Sequence, residues 1–514
     1  VARNALSGGG RYAIGALLGL IVTPYALSVL GTERFGLWAV AGAVLTVVRL
    51  LDLGLGRAMT RAVAGAMGRG SPGTARPALD VGRGMLALIG ASLAATVFVL
   101  RGPIVGALLH VPPALTSEAG FVIVGTAAVG ALEGLFAPSR AVLDGVGRMD
   151  LSNGIDTVQR ILSALGVVVV LWAGWGLQGL VWKNMLLALG TGLVLVLVVR
   201  RTVPELAPLR LAWDRDVAGE MLRFGRHVQT VGLTGVAMDV GGKLVLSRVV
   251  GLSSVAAFEI AMRVAGQMAG ALMAASTAVF PAAAEAGAAR ESEAHTGGLS
   301  DRDAALLAMH SASARYLSWL ALPSFSILIV LSLPFVAAWL GPGHVDVATT
   351  LAILAAGYLV AVLSMPAHMV CQASGRERVS TVAATSTAVV GLTAAALLAR
   401  EFGLAGAVTG VAMGLAVGGL AMWWLFARAF DVGLGGMVFV SGRSVVAALA
   451  AAVCAGALGV VLSVSLLAVV LAASAGLALF VALLVVSGEV SDVDRAVLSG
   501  AVRARPGSSS GPGA

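Results

Sequence analysis

Charge is the scarcest property of this sequence. Asp, Glu, Lys and Arg make up 12% of its 514 residues, while hydrophobic residues make up 58%. A soluble domain carries about 25% charged residues, so this chain lacks the polar groups to cover a water-facing surface, and a soluble globular protein is excluded. Disorder is excluded by the same numbers, because disordered chains are poor in apolar residues and rich in charge. Cysteine is nearly absent. Cys371 and Cys454 both lie in apolar runs, which leaves no disulfide framework and no cysteine-based metal site. Lysine is nearly absent too: Lys183 and Lys243 are the whole complement. Neither completes a G-x-x-x-x-G-K-[ST] phosphate loop, so no ATPase engine is visible. The six histidines are scattered without metal-ligand spacing.

Long polar segments are lacking as well, and what is present between them is apolar. A spanning helix needs about 20 mostly apolar residues. Fourteen stretches qualify: 12–30, 35–56, 84–109, 119–142, 157–175, 177–199, 228–250, 255–281, 316–339, 347–371, 379–399, 404–427, 444–464 and 466–487. The expected fold is therefore all-α, a polytopic membrane helical bundle. Arg3 and Arg11 precede the first span as they would in a signal peptide. The length of its apolar core and the closeness of the second span make it an uncleaved first helix. The last two spans are separated by almost nothing and read as a tight hairpin or one re-entrant element.

The net charge of +8 takes its meaning from position. With the N-terminus inside, 26 of the 34 basic residues fall in cytoplasmic segments, among them Arg57, Arg61, Arg140, Arg160, Arg376 and Arg443. Four lie outside: Arg34, Arg101, Arg248 and Arg400. Such an excess inside fits a cell (cytoplasmic) membrane protein with both termini cytoplasmic. It also explains the basic balance without a nucleic-acid partner.

Two stretches share a pattern. Pro138 precedes Gly147-Arg148, and Pro366 precedes Gly375-Arg376 at the same spacing. Gly176-Leu177-Gln178-Gly179 and Gly403-Leu404-Ala405-Gly406 follow, at offsets of 228 and 227 residues. Gly31 and Trp38 align with Gly251 and Phe258 at an offset of 220. The pattern predicts two pseudo-symmetric six-helix halves, 1–200 and 228–430, joined by a cytoplasmic linker at 201–227. Helices 13 and 14 (444–487) are then additions, and 488–514 is a disordered tail. Parallel repeats of this kind place a transport site between the halves.

Eight charges sit inside the expected spans: Arg49, Asp52, Glu133, Lys183, Asp239, Lys243, Glu259 and Arg263. Ionisable groups in spans are costly and face a cavity or each other. Arg49/Asp52 have i,i+3 spacing, and Asp239/Lys243 and Glu259/Arg263 have i,i+4 spacing, so each pair can neutralise itself for insertion. They can equally form a polar path. Asp239 lies about 16 Å beyond Val228 along a helix, near mid-membrane. The acidic triplets Asp214-Arg215-Asp216 and Asp301-Arg302-Asp303 mimic sugar-nucleotide motifs, but their loops are too short for a nucleotide-binding domain and read as solvated charge.

Asn4, Pro24, Gly31, Glu33, Phe35-Gly36, Asp52-Leu53-Gly54-Leu55 and Arg61 form an N-terminal pattern. With Asp239, Lys243, Gly251, Phe258-Glu259-Ile260-Ala261, Arg263-Val264 and Pro281, it resembles the polysaccharide-unit (Wzx-type) flippases of the multidrug/oligosaccharidyl-lipid/polysaccharide exporter superfamily. The likeness covers about residues 4–430. Phe258 stands where that family often has Tyr, and Asp239 and Lys243 are apart where many members have them adjacent. Fourteen spans resemble instead the peptidoglycan-precursor flippases of the superfamily. The resemblance implies a V-shaped bundle, not an enzyme. It would move a polyprenyl-(pyro)phosphate-linked oligosaccharide to the outer leaflet by alternating access. Arg49, Lys243 and Arg263 would bind phosphate, while Asp52, Asp239, Glu259 and Glu133 would pair charge or couple to H⁺ or Na⁺. No resident cofactor or metal is implied. Partners would be the lipid-linked oligosaccharide, membrane lipids, a polysaccharide polymerase and assembly proteins. The competing readings are a lipid-linked peptidoglycan precursor flippase, a multidrug or cation antiporter, and a non-transporting scaffold of a polysaccharide assembly complex.

Overall fold

The structure is a computed structural model. It describes residues 2–490 except 51, 53, 208–209, 292–300, 433–439 and 463, and it leaves out the side chains of 2–14, 16, 224–232, 275–291 and 301–304. The expected tail from 491 onward, and the side chains of Arg3, Arg11, Pro281, Arg290 and Arg302, lie outside the described residues.

Helices account for nearly all of the described chain. The first half comprises α1 (Ala2–Leu50), α2 (Leu55–Gly68), α3 (Arg76–Val99), the single turn α4 (Arg101–Pro103), α5 (Thr116–Gly145), α6 (Met149–Trp172) and α7 (Gly176–Thr202). The second half holds α8 (Arg215–Val249), α9 (Leu252–Glu291), α10 (Asp301–Leu340), α11 (Val345–Leu363), α12 (Met365–Ala373) and α13 (Glu377–Phe430). Then come α14 (Gly442–Val461) and α15 (Leu466–Val486). Among the described residues, 10 helices are long and apolar enough to cross a membrane, or up to 11 when α1 and α2 count as one bent span. Large apolar side chains such as Leu186, Val460 and Val486 point outward, which suits a lipid surround and not water.

Each of the fourteen expected spans has a helical counterpart, with corrected boundaries. Spans 1 and 2 share α1, which is non-helical at Gly31 (φ 75°), and the helix stops at Leu50, not at 56. Span 3 starts at Arg76, not at 84, because Pro77 pre-sets the first turn. It stops at Val99, and the apolar residues 104–108 form a π-turn after Pro103. Span 10 is cut at Ser364, just before Pro366, into α11 and α12. Spans 11 and 12 share α13, which turns at Gly403 (φ 56°, ψ −132°). There the chain folds back on itself: Gly410 packs on Ala395 and Gly414 on Gly391. Those contacts leave no room for a Cβ, so the small-xxx-small run of α13 serves hairpin packing. The last two spans are separate helices packed on α10, with Gly456 against Val330 and Gly476 against Ile327.

The linker expected at 201–227 is shorter than its sequence suggested. Asp214 accepts from the Asp216 and Val217 amides and starts α8 at Arg215, so this acidic triplet is a helix cap. The Arg210 amide donates to Asp80 Oδ1 (2.7 Å), which pins the connection to α3.

The turns matched in sequence share their backbone geometry. Gly147 has φ 78° and Gly375 has φ 76°. Arg148 N donates to the Leu143 carbonyl (2.9 Å), and Arg376 N donates to that of Cys371 (2.8 Å). Both are helix ends that need a left-handed residue, which glycine supplies without a Cβ penalty.

Further contacts tie α1 and the segment after α4 to α8, α9 and α10. Gly36 lies against the Leu252 carbonyl, and Trp339 Nε1 donates to the Leu20 carbonyl (2.6 Å). Arg248 donates to the Ala107 carbonyl and lies 3.3 Å from His110 Nδ1.

Candidate functional site

The intramembrane charges fall into three groups. The first joins α8 to α9. Helical spacing stacks Asp239 one turn from Lys243 and Glu259 one turn from Arg263. Gly242 lets α8 approach Phe258 of α9, since a Cβ there would sit 3.1 Å from the ring. Lys243 Nζ then reaches both Asp239 Oδ1 (2.9 Å) and Glu259 Oε2 (2.8 Å). Glu259 Oε1 also holds Arg263 (2.7 Å). The result is a chain of alternating charge, Asp239–Lys243–Glu259–Arg263, across two helices. Lys243 is 5% exposed and Arg263 is 38% exposed. The Arg263 stem lies beside Gly19 of α1, so this group borders the seam between halves.

The second group differs from the expected pairing. Arg49 donates to both carboxylate oxygens of Glu133, from Nε and Nη2 at 3.0 Å each. This two-point fork crosses from α1 to α5. Asp52 lies past the end of α1, where its amide donates to the Arg49 carbonyl (3.4 Å). Its Oδ1 accepts from the Gly54 amide (2.7 Å), which shapes the break before α2.

The third group was not expected. Arg140 of α5 forks onto Asp156 of α6, and Arg160 stands one turn further along α6. With Arg49, Asp52 and Glu133 they line a cavity of about 550 Å³ inside the first half. Its walls come from α1, α3, α5, α6 and α7. Sequence reasoning placed Arg140 and Arg160 in the cytoplasmic collar and started span 5 at 157, which left Asp156 outside. The missed signal was Asp156, Gln159, Arg160 and Ser163 at i, i+3, i+4 and i+7, a polar stripe on one face of α6. Lys183, the remaining intramembrane charge, is 8% exposed. It donates to Ser163 Oγ (3.0 Å) and to the Ser163 carbonyl (3.4 Å).

Among the described residues, no group of three or more His, Cys, Asp or Glu side chains could hold a metal ion. The arrangement consists of cations held by carboxylates inside an apolar bundle. Arg49 (61% exposed), Arg160 and Arg263 (38% exposed) present open guanidinium groups. Such groups exchange partners; they do not perform covalent chemistry.

Fold and site together define a multi-pass membrane protein with a transporter fold. The whole-chain architecture is similar to Lipid II flippase MurJ in an inward closed conformation, at 12% identity and a TM-score of 0.70, covering 93% of this chain and 98% of that one. It is similar to an inward-facing multidrug resistance MATE family transporter of the MOP superfamily, at 16% identity and a TM-score of 0.65, covering 84% and 96%. A MOP superfamily transporter from Pyrococcus furiosus, with a binding pocket of reverse polarity, matches at 14% identity and a TM-score of 0.53, covering 83% and 95%. These relatives are transporters and flippases, not enzymes. No curated protein sequence matches the chain. The family model described as polysaccharide biosynthesis protein matches residues 1–286, and the chain belongs to that family.

Proposed function

We propose that the protein carries a polyprenyl-(pyro)phosphate-linked oligosaccharide across the cytoplasmic membrane for cell-surface polysaccharide biosynthesis, by ion-coupled alternating access. The observation that carries this reading is the open guanidinium of Arg49 in a polar cavity, inside the bundle of a polysaccharide biosynthesis family member. Such a cargo has an anionic phosphate, a polar head and an apolar tail. Arg49 and Arg263 bind phosphate by charge-assisted hydrogen bonds, which are the stronger kind. Lys243 takes a different part from the one its sequence suggested. Two carboxylates occupy its ammonium, so it holds Glu259 in place and leaves the cargo to Arg263.

Coupling follows from competition. Glu133 and the cargo's phosphate need the same face of Arg49, and Glu259 and phosphate need Arg263. A carboxylate that takes H⁺ or Na⁺ releases its arginine to phosphate, and cargo binding releases the carboxylate to the ion. Linkage makes the two effects equal. Asp239 and Asp52 carry the remaining negative charge of this path. The polar cavity holds three arginines against three carboxylates, so its lining lacks the net acidity that a carrier of cationic drugs would favour. A cytoplasmic location of both termini follows from the arginine distribution.

The reading is tested by removing the protein from its cell. Lipid-linked units should accumulate on the cytoplasmic side and surface polymer should fall, with Arg49→Gln and Arg263→Gln failing to restore either. Loss of complex assembly with unimpaired translocation would establish the scaffold instead.

A further inference from the structure

We propose that the cavity within the first half seats the phosphate-bearing sugar of the cargo's head group, with Arg160 on phosphate and Gln159, Ser163 and Thr191 on the sugar. This rests on the function proposed above and names where that cargo is recognised.

The argument starts from unspent hydrogen-bonding capacity. Gln159, Arg160 and Ser163 face the cavity from α6, and Thr191 faces it from α7. Arg160 is exposed, and Gln159, Ser163 and Thr191 are half-buried. Hydroxyls on these helices are ordinarily paired. Thr157 of α6 gives its proton to the Asn153 carbonyl (2.9 Å), and Thr202 of α7 gives its own to Val198 (2.8 Å). Among the described residues, the side chains of Gln159, Arg160 and Thr191 make no hydrogen bond or ion pair, and the Ser163 hydroxyl donates to none. Four polar groups without protein acceptors thus line one space inside the bundle.

Lys183 sharpens the point. Its ammonium donates to Ser163 Oγ, so the Ser163 hydroxyl proton is turned away from Lys183 and is free for a ligand. The lysine stem reaches this position only by crossing Gly166, where a Cβ would lie 2.8 Å from Lys183 Cδ. Lys183 therefore acts as a positioning residue for Ser163. Arg160 is accommodated in a similar way: its guanidinium lies over Gly15 of α1, where a Cβ would stand 3.1 Å from Nη1.

The set tells what the ligand is. A guanidinium, two hydroxyls and an amide offer mainly donors, so the occupant is rich in acceptors and negatively charged. Arg140 and Arg49 are already forked onto Asp156 and Glu133, which leaves Arg160 as the cavity arginine with no carboxylate on it. Leu86, Ile89 and Leu195 give the cavity an apolar side for the C–H face of a pyranose. The volume of about 550 Å³ lies within the range of small-molecule sites, about 300–1,000 Å³. Phosphate alone would use Arg160 and leave Gln159 and Thr191 unserved; a glycosyl phosphate uses all four.

The test uses full-length protein in lipid nanodiscs and two probes: N-acetylglucosamine linked through diphosphate to a ten-carbon prenyl tail, and the same prenyl diphosphate without sugar. The wild type should prefer the sugar-bearing probe. Arg160→Gln should weaken both probes by about 10- to 100-fold, the range for a hydrogen bond to a charged group. Thr191→Val and Gln159→Leu should weaken the sugar-bearing probe alone, by about 2- to 10-fold. Lys183→Met should match Ser163→Ala in the same sugar-dependent loss. Unchanged melting midpoints certify that the variants fold. If Arg160→Gln and Thr191→Val bind both probes as the wild type does, the proposed seat is wrong while the transport reading stands. If the wild type binds neither probe and removal from cells leaves surface polymer unchanged, the transport reading itself has failed.

Discussion

Lys243 and Glu259 show at the residue scale how a membrane protein keeps charge in its interior. Each is shared by two partners, so neither can be removed alone without stranding another charge. Breaking a buried ion pair by removing one partner costs about 3–5 kcal/mol. Glu259→Gln should therefore lower thermal stability in detergent markedly, and Lys243→Met should do the same. The double variant should be less unstable than the two losses added together, as expected for coupled neighbours. Arg49 is the contrasting case. Its guanidinium is 61% exposed although Glu133 is only 23% exposed, and pairs with one solvated partner lie towards the exposed range of about 0–1 kcal/mol. Arg49→Gln should leave the melting midpoint nearly unchanged while abolishing transport. Equal stability loss in Arg49→Gln and Glu259→Gln would contradict this division between a working cation and a structural one.

At the scale of elements, the hairpin of α13 depends on backbone contact between its two arms. A Cβ at Gly414 would collide with the Gly391 backbone, so Gly414→Leu should destabilise by about 1–3 kcal/mol or more. Gly42 of α1 is the control, because nothing lies within 4 Å of a Cβ built there. Gly42→Ala should be neutral or stabilising by up to about 1 kcal/mol. Thermal unfolding of both variants decides the matter. The elements also show what could be read in advance. Apolar runs gave the helices, because lipid demands about 20 such residues per span. The Gly147 and Gly375 turns were legible because a left-handed helix end leaves glycine as its mark. The ends of spans were not legible, because polar residues at a helix end continue the helix as readily as they leave it. That is why α6 began before 157 and α8 before 228. The cavity was missed for the same reason: Arg140, Asp156 and Arg160 sit at span edges, where charge is ordinarily explained by the aqueous interface. Pairing was half legible. The i,i+4 pairs on α8 and α9 formed as their spacing dictated, but Arg49 found Glu133 on another helix, which no spacing within one helix can announce.

The molecule as a whole is one helical bundle in which α8 and α9 pack on α1, α8 packs also on α2 and α3, and further side-chain ties lie near the Arg248 end of α8. Arg248 reaches from α8 to the Ala107 carbonyl and His110, and Trp339 reaches from α10 to Leu20. These contacts must break if the bundle is to open at that end. A transporter samples both states, and removing a contact made in one of them shifts the population toward the other. Arg248→Ala should therefore enrich the form open at this end. Spin labels at Leu108 and Val250, in a protein whose Cys371 and Cys454 are replaced, should show a larger share of long distances. An unchanged distribution would mean that Arg248 does not hold the end closed. The scarcity of charge also takes on a role at this scale. A bundle with so few ionisable groups gathers several of them in the α8–α9 network and in the cavity lined by α1, α3, α5, α6 and α7, and in the proposed function the two form the polar route for an anionic head group.

That route is tested most directly by translocation in reconstituted vesicles. A prenyl-diphosphate-linked saccharide is placed in the inner leaflet, and its arrival outside is followed with a membrane-impermeant sugar-modifying enzyme. The wild type should expose the saccharide at a rate well above protein-free vesicles, and Arg49→Gln should not. Exposure by the wild type no faster than in protein-free vesicles would contradict the account.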